Sequence, residues 1–220
     1  MNRLVFLNVE TTGRDSFWDN VAQLSYLITD TNLNIIKAKN FYFNAGFVND
    51  EATKKNGLTK EILKELSNGK KFKDFSDEII NDLKDAKIIC YNDEFNRDFI
   101  YTEFYDAKIQ LNLDENFFCI AEAYLEIFKL KEVSLDYFHY FNLKKIKDYL
   151  NITDKQIKKI VDTNFKDFES YNNAYTKIAS IYLCYKEYLN IDIEKLKKEK
   201  EIRDQIRKEE MENMNDDVPF

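Results

Sequence analysis

Residues 4–13 read LVFLNVETTG. The run is apolar, and residues 3–9 are predicted as a buried strand. It closes on Asn8, Glu10, Thr11 and Thr12 ahead of Gly13, so a polar cluster with one carboxylate stands at the strand's end. Whether that cluster can hold a metal ion decides what chemistry is open to the chain.

Downstream, DNVAQLSYLITD (19–30) and NIIKAKNFYF (34–43) alternate as two further strands, with turn residues at 30–34 between them as in a hairpin. Thr59 is placed as the N-cap of a helix from Lys60. DFSDEIINDLKD (74–85) has helical spacing through Phe75, Ile79, Ile80 and Leu83. AKIICYN (86–92) is a short apolar strand, followed by a helix over 94–105 and an extended piece at 116–120. Helices are predicted over 121–129, 143–150, 154–161 and 171–189. Three strands, a helix, a strand and then mostly helices make an α/β protein with a mixed sheet flanked by helices. From about residue 190 the sequence becomes a charge-rich helix with an acidic tail, read as a solvated or partner-binding extension. The division is therefore 1–189 for the domain and 190–220 for the extension.

Hydrophobic residues make up 44% of the 220, and 18 Phe with 14 Tyr can fill a sizeable core, so a disordered chain is excluded. The net charge of −7 counts against bulk coating of nucleic acid, which calls for a basic excess, while leaving room for a local basic groove. Cys90, Cys119 and Cys184 are odd in number and far apart, without zinc spacing, and read as free thiols of a reducing cytoplasm. No apolar run nears the ~20 residues of a membrane span, and the N-terminal run is short for a secretory signal, so a soluble, cytoplasmic protein without membrane partners is expected. The lone histidine, His139, is expected to serve packing. With 4 Gly there is no phosphate-cradling loop, and no nucleophile motif is present.

Five blocks, in order, resemble the DEDD-type 3′–5′ exonucleases of ribonuclease-H-like fold, over about residues 3–189. They are VFLNVETTG, EATKKNGLTKEIL, IICYNDEFNRDFI, FNLKKIKDYLNI and YNNAYTKIASIYLCYKEYL. In that family four carboxylates hold two divalent ions, Mg²⁺ or Mn²⁺, that clamp the attacking and leaving oxygens of a phosphodiester. A histidine one helical turn before the last aspartate serves as general base. The resemblance places the four ligands at Asn8, Glu10, Asn96 and Thr176, and the histidine at Tyr171. One acid of four is kept, and the charge at these positions falls from about −4 to about −1. The resemblance thus implies a degenerate site: no tight two-metal centre, at most a single weak ion at Glu10, and no required cofactor. Mg²⁺ or Mn²⁺ would serve residual activity.

Nearby acids offer limited rescue. Asp98 lies about 200° round a helix from Asn96 and faces elsewhere. Asp93 can turn inward. Asp162 and Asp167 reproduce the five-residue spacing only with a nine-residue shift of the last block. The resemblance also places Thr11, Thr12, Leu58, Asn92 and Phe95 against a 3′-terminal nucleotide, Leu58 as a wedge on the terminal base. In any such fold Phe95 and Leu58 can equally be core or rim residues, and Asn92 can simply bond the strand end. Lys54, Lys55 and Lys60 can meet phosphates. Two functions of different class follow: a pseudo-exonuclease that binds a single-stranded nucleic-acid 3′ end, or a protein partner through the C-terminal helix, and an active but divergent metal-dependent 3′–5′ exonuclease. A purely structural subunit is the third possibility.

Overall fold

Alternation within β1 (Arg3–Thr11) divides the core in two. Leu4 and Phe6 face one way, into a cluster with Ile120, Tyr124, Ile127, Ile178 and Ile181. Val5, Leu7 and Val9 face the other, into a cluster with Phe41, Phe72, Phe99 and Phe104. A strand sandwiched between two helical layers has no solvated side, which is why its sequence runs apolar instead of alternating.

The computed structural model describes residues 3–113, 116–133, 142–165 and 174–216. Among them β1 is the centre of a five-stranded sheet ordered β3-β2-β1-β4-β5. β2 (Val21–Thr29) and β3 (Ile35–Tyr42) add antiparallel on one side, while β4 (Ala86–Cys90) and β5 (Phe117–Cys119) add parallel on the other. The parallel pairing of β1 with β4 covers only Arg3–Phe6 against Ala86–Ile89, so β1 runs on past it. Glu10 faces Gln23 and Thr11 faces Val21, a bulge that bends the end of β1.

The helices are α1 (Asp50–Asn56), α2 (Lys60–Leu66), α3 (Ser76–Leu83), α4 (Asp93–Asp106), α5 (Ile120–Leu130), α6 (Leu143–Tyr149), α7 (Asp154–Asn164), α8 (Ala174–Tyr188) and α9 (Ile193–Asp216). Thr59 caps α2 by accepting from the Ile62 N–H, as its sequence predicts. A helix at 50–56 is not among the sequence expectations. It is capped by Asn49 and ends on Gly57 at φ 74°, a left-handed position suited to glycine. α8 lies on β1, where Phe6 meets the rings of Tyr182 at 5.2 Å and Tyr185 at 5.6 Å, both edge-on. His139 and Tyr171 lie outside the described residues, as does Asp167.

The charged helix α9 is docked rather than free. Arg203 donates to the Leu130 carbonyl at the C-terminal end of α5 (2.6 Å), and Arg207 grips Glu132 through two bonds of 2.8 and 2.5 Å. These cations satisfy the terminus of α5 and hold the Glu132 carboxyl below its ordinary range. No helix among the described residues is long and apolar enough to cross a membrane.

On the far side, Asp82 is buried and accepts from the Tyr26 hydroxyl at 2.8 Å, with Lys37 Nζ at 2.9 and 2.6 Å from its two oxygens. Burial and the Asp82 charge both push the Tyr26 hydroxyl up. Lys37→Met strips the cation from a buried carboxylate. Because Lys37 is itself about a third exposed, water screens part of the loss. Urea denaturation is expected to show a drop of about 1–2 kcal/mol.

Candidate active site

Asn8 and Glu10 are two residues apart on β1, so they project to the same face, the one that α8 covers. Beyond Phe6 the strand has no β4 partner, and a cleft of about 970 Å³ opens there at the C-terminal ends of β1 and β4. Asn8, Glu10, Thr11, Asn92, Phe95 and Asn96 all line it. The sequence-derived set is therefore largely brought together.

What these groups do to one another is less like a metal cradle. Asn8 Nδ2 donates to Glu10 Oε1 at 3.0 Å. Lys177 Nζ, from α8, donates to the same oxygen at 2.5 Å. Asn96 Oδ1 accepts from the Val9 N–H at 3.0 Å, and its Nδ2 donates to the Asn92 carbonyl. Asn96 thus takes over a β1 donor that β4 leaves unpaired, joining α4 to the strand. Asn8, Glu10 and Asn96 are each at most 9% exposed, so these bonds form away from bulk water and count for more than surface contacts.

Lys177 is the residue that sequence reasoning missed, and it corrects the placement at Thr176. Thr176 does not line the cleft; its neighbour does. The register of α8 explains why. Lys177, Ile181 and Tyr185 follow at four-residue steps, and Ile181 and Tyr185 belong to the core on the β1 face. Counting back from the apolar contacts, rather than on from Tyr171, puts position 177 over Glu10.

Two more placements need correction. Leu58 is fully buried among Ala22, Ala45 and Leu63, and cannot wedge against a base. Thr12 is 2% exposed, does not line the cleft, and spends its hydroxyl accepting from the Asn20 N–H at 2.9 Å. Thr11 lines the cleft but donates to the Gly13 carbonyl at 2.5 Å. Asn92 caps α4, accepting from the Phe95 N–H at 3.3 Å, and Phe95 rests on Phe99 with centroids 4.8 Å apart. Lys55 reaches the cleft from α1; Lys54 and Lys60 do not line it.

The rescue acids among the described residues, Asp93, Asp98 and Asp162, stay away. Asp93 does not line the cleft but gathers with Cys119 and Glu122, their ligand atoms within 4.8 Å of one another, where the first turns of α4 and α5 converge. Burial, with the Asp93 carboxylate beside it, pushes the Cys119 thiol up, and the thiol donates to the Tyr91 carbonyl at 3.3 Å. Asp98 is exposed, as is Glu94 beside Asp93, and Asp162 is paired with Lys158 at 3.7 Å on the surface.

The donor set does not fit a pair of divalent ions. Of the four positions one is an acid, two are amides already bonded within the chain, and the side chain arriving from α8 carries a positive charge. Two dications need several anionic oxygens. Here the carboxylate is answered by an ammonium.

No family model matches the sequence, and no curated protein does. Solved structures do resemble the fold. A structure of exonuclease I superposes with a TM-score of 0.68 at 16% identity, over 90% of this chain and 43% of that one. E. coli exonuclease I in complex with a 5cy-dT13 oligonucleotide gives 0.67 at 16% identity, over 90% and 42%. A product-bound exonuclease I gives 0.64 at 15% identity, over 90% and 45%. The chain spans less than half the length of these proteins. Sequence order, mixed sheet and superposition agree: this chain has the exonuclease-like α/β fold of ribonuclease-H type.

Proposed function

We propose that this chain is a non-hydrolytic relative of the exonucleases it resembles, holding a single-stranded nucleic-acid end in its cleft without a metal ion. One observation carries the reading: the Lys177 ammonium is bonded to Glu10, the one carboxylate among the four positions, and so answers the charge that an ion there would need. A tethered ammonium neutralises the carboxylate and can meet a phosphate, but it cannot bridge attacking and leaving oxygens or lower the pKa of a water as a metal does. The choice of ligand is supported by E. coli exonuclease I having been seen with DNA oligonucleotides. Arg203 and Arg207 of α9 are engaged within the chain, so the proposal rests on the cleft and not on that helix.

The Asp93–Cys119–Glu122 trio favours a second reading, a divergent nuclease using one ion. End-labelled single-stranded DNA and RNA, incubated with Mg²⁺ or Mn²⁺, separates the two. The expected result is binding that EDTA leaves unchanged and no metal-dependent cleavage, the wild-type chain matching both Glu10→Ala and Asp93→Ala controls. Metal-dependent cleavage by the wild-type chain that disappears in Glu10→Ala or in Asp93→Ala would overturn the proposal, and loss in Asp93→Ala alone would assign it to the trio.

A further inference from the structure

The segment between β1 and β2 carries two adjacent aromatic rings in open solvent, Phe17 at 87% and Trp18 at 86% exposure. Scattered exposed apolar side chains are ordinary, but a contiguous aromatic pair is not. The same segment supplies Arg14, Asp15 and Asp19 to the cleft wall, so the pair, itself outside the lining, is flanked on both sides in sequence by residues of the cleft.

The segment is built to present them. The Phe17 N–H donates to Asp15 Oδ1 (3.0 Å), and the N–H groups of Trp18 and Asp19 donate to the Asp15 carbonyl (3.1 and 2.8 Å). Asp15 N–H donates back to Asp19 Oδ2 at 3.0 Å. Asp19 packs so closely on Gly13 that a Cβ there would lie 2.1 Å from its Oδ2. A third exposed aromatic, Phe47 at 69%, precedes Asn49, whose N–H donates to the Thr12 carbonyl at 2.8 Å and ties that segment to the same end of β1.

The charge in the cleft limits how a ligand can be held there. Lys177 is paired with Glu10, and Arg14 with Glu51 at 3.3 Å. Lys55 and Lys144 are left against Asp15 and Asp19, so the lining has no net positive charge. A ligand held here gains little from counterion release and must be held by its faces. Single-stranded bases offer such faces, and every base can stack on an aromatic ring.

We infer that Phe17 and Trp18 are a base-stacking platform for single-stranded nucleic acid entering the cleft; this rests on the binding function proposed above. Trp18 is the chain's single tryptophan, so its emission reports on the site alone. The test pairs that emission with the anisotropy of a fluorescein-labelled 12-nucleotide oligo(dT). Binding is expected to quench Trp18, and Trp18→Ala is expected to weaken the affinity about tenfold, with Phe17→Ala acting in the same direction. Affinity should fall only shallowly with salt, with a logarithmic slope of about −1.5 for two phosphate contacts. Oligonucleotide binding with unchanged Trp18 emission and undiminished affinity in Trp18→Ala would overturn this inference, leave the binding function standing and point to a protein on the aromatic pair. No anisotropy change in the wild-type chain with either this oligo(dT) or a labelled oligo(U) of the same length would overturn both.

Discussion

The triple variant Asn8→Asp, Asn96→Asp, Lys177→Asp is expected to bind Mn²⁺ at least about 100-fold more tightly than the wild-type chain, a gain of about 3 kcal/mol. It converts a site whose one carboxylate is balanced by an ammonium into one with four carboxylates facing a common space. The essential change is at Lys177. A unit charge about 4 Å from another is worth about 4 kcal/mol at an effective dielectric near 20, and about twice that against a dication. The double variant Asn8→Asp, Asn96→Asp, with the ammonium retained, is therefore expected to gain less than tenfold. Calorimetric titration with Mn²⁺ decides between them. Equal affinity in the double and triple variants would mean that Lys177 is not what keeps an ion out.

The second large effect concerns pH. Glu103 lies on α4 and accepts from the Val21 N–H at 2.8 Å, where the chain enters β2 from the aromatic segment. Burial raises its carboxyl from the ordinary 4.5 to about 7, against the opposing bonds from Val21 and Asn20 and with a small push from the Asp106 charge. The folded state therefore keeps a proton that the unfolded chain releases above pH 4.5. Stability falls as pH rises from about 4.5 to 7, and the full loss, about 3 kcal/mol, is present above the folded value. Glu103→Gln keeps an acceptor for Val21 and cannot ionise. Urea unfolding at pH 5 and pH 8 is expected to show the wild-type chain losing up to about 3 kcal/mol more than the variant between the two. Parallel pH profiles would show that Glu103 does not ionise at a cost.

The strands and most helices were legible because their cores are regular. The apolar run of β1, the alternation of β2 and β3, and the four-residue spacing in α3 each state a period that burial then enforces. α1 was not legible: its seven residues hold one buried side chain, Asn56, and end in Asn-Gly, which reads as a turn. The site was half legible. Asn8, Glu10 and Asn96 could be placed because two of them share a strand and the third opens a helix behind a capping Asn92. Lys177 could not be placed by spacing from Tyr171, because only the packing of Ile181 and Tyr185 on β1 fixes which face of α8 meets Glu10. Leu58 was misplaced for the same kind of reason: its neighbours Ala22 and Ala45 are distant in sequence and close in space. The docking of α9 joins partners more than seventy residues apart, and a run of alternating charge does not say which carbonyl it will meet.

The Glu10–Lys177 pair has a historical consequence. Asn8→Asp alone removes a donor from Glu10; Asn96→Asp alone removes the donor that Asn92 accepts; Lys177→Asp alone leaves two carboxylates facing each other. Each first step toward a four-carboxylate centre gives up an existing bond before any ion can compensate. Selection acting on one substitution at a time would meet a loss in every direction. The lysine works as a ratchet: while it is closed on Glu10, each single step toward a four-carboxylate centre leads through a less stable protein.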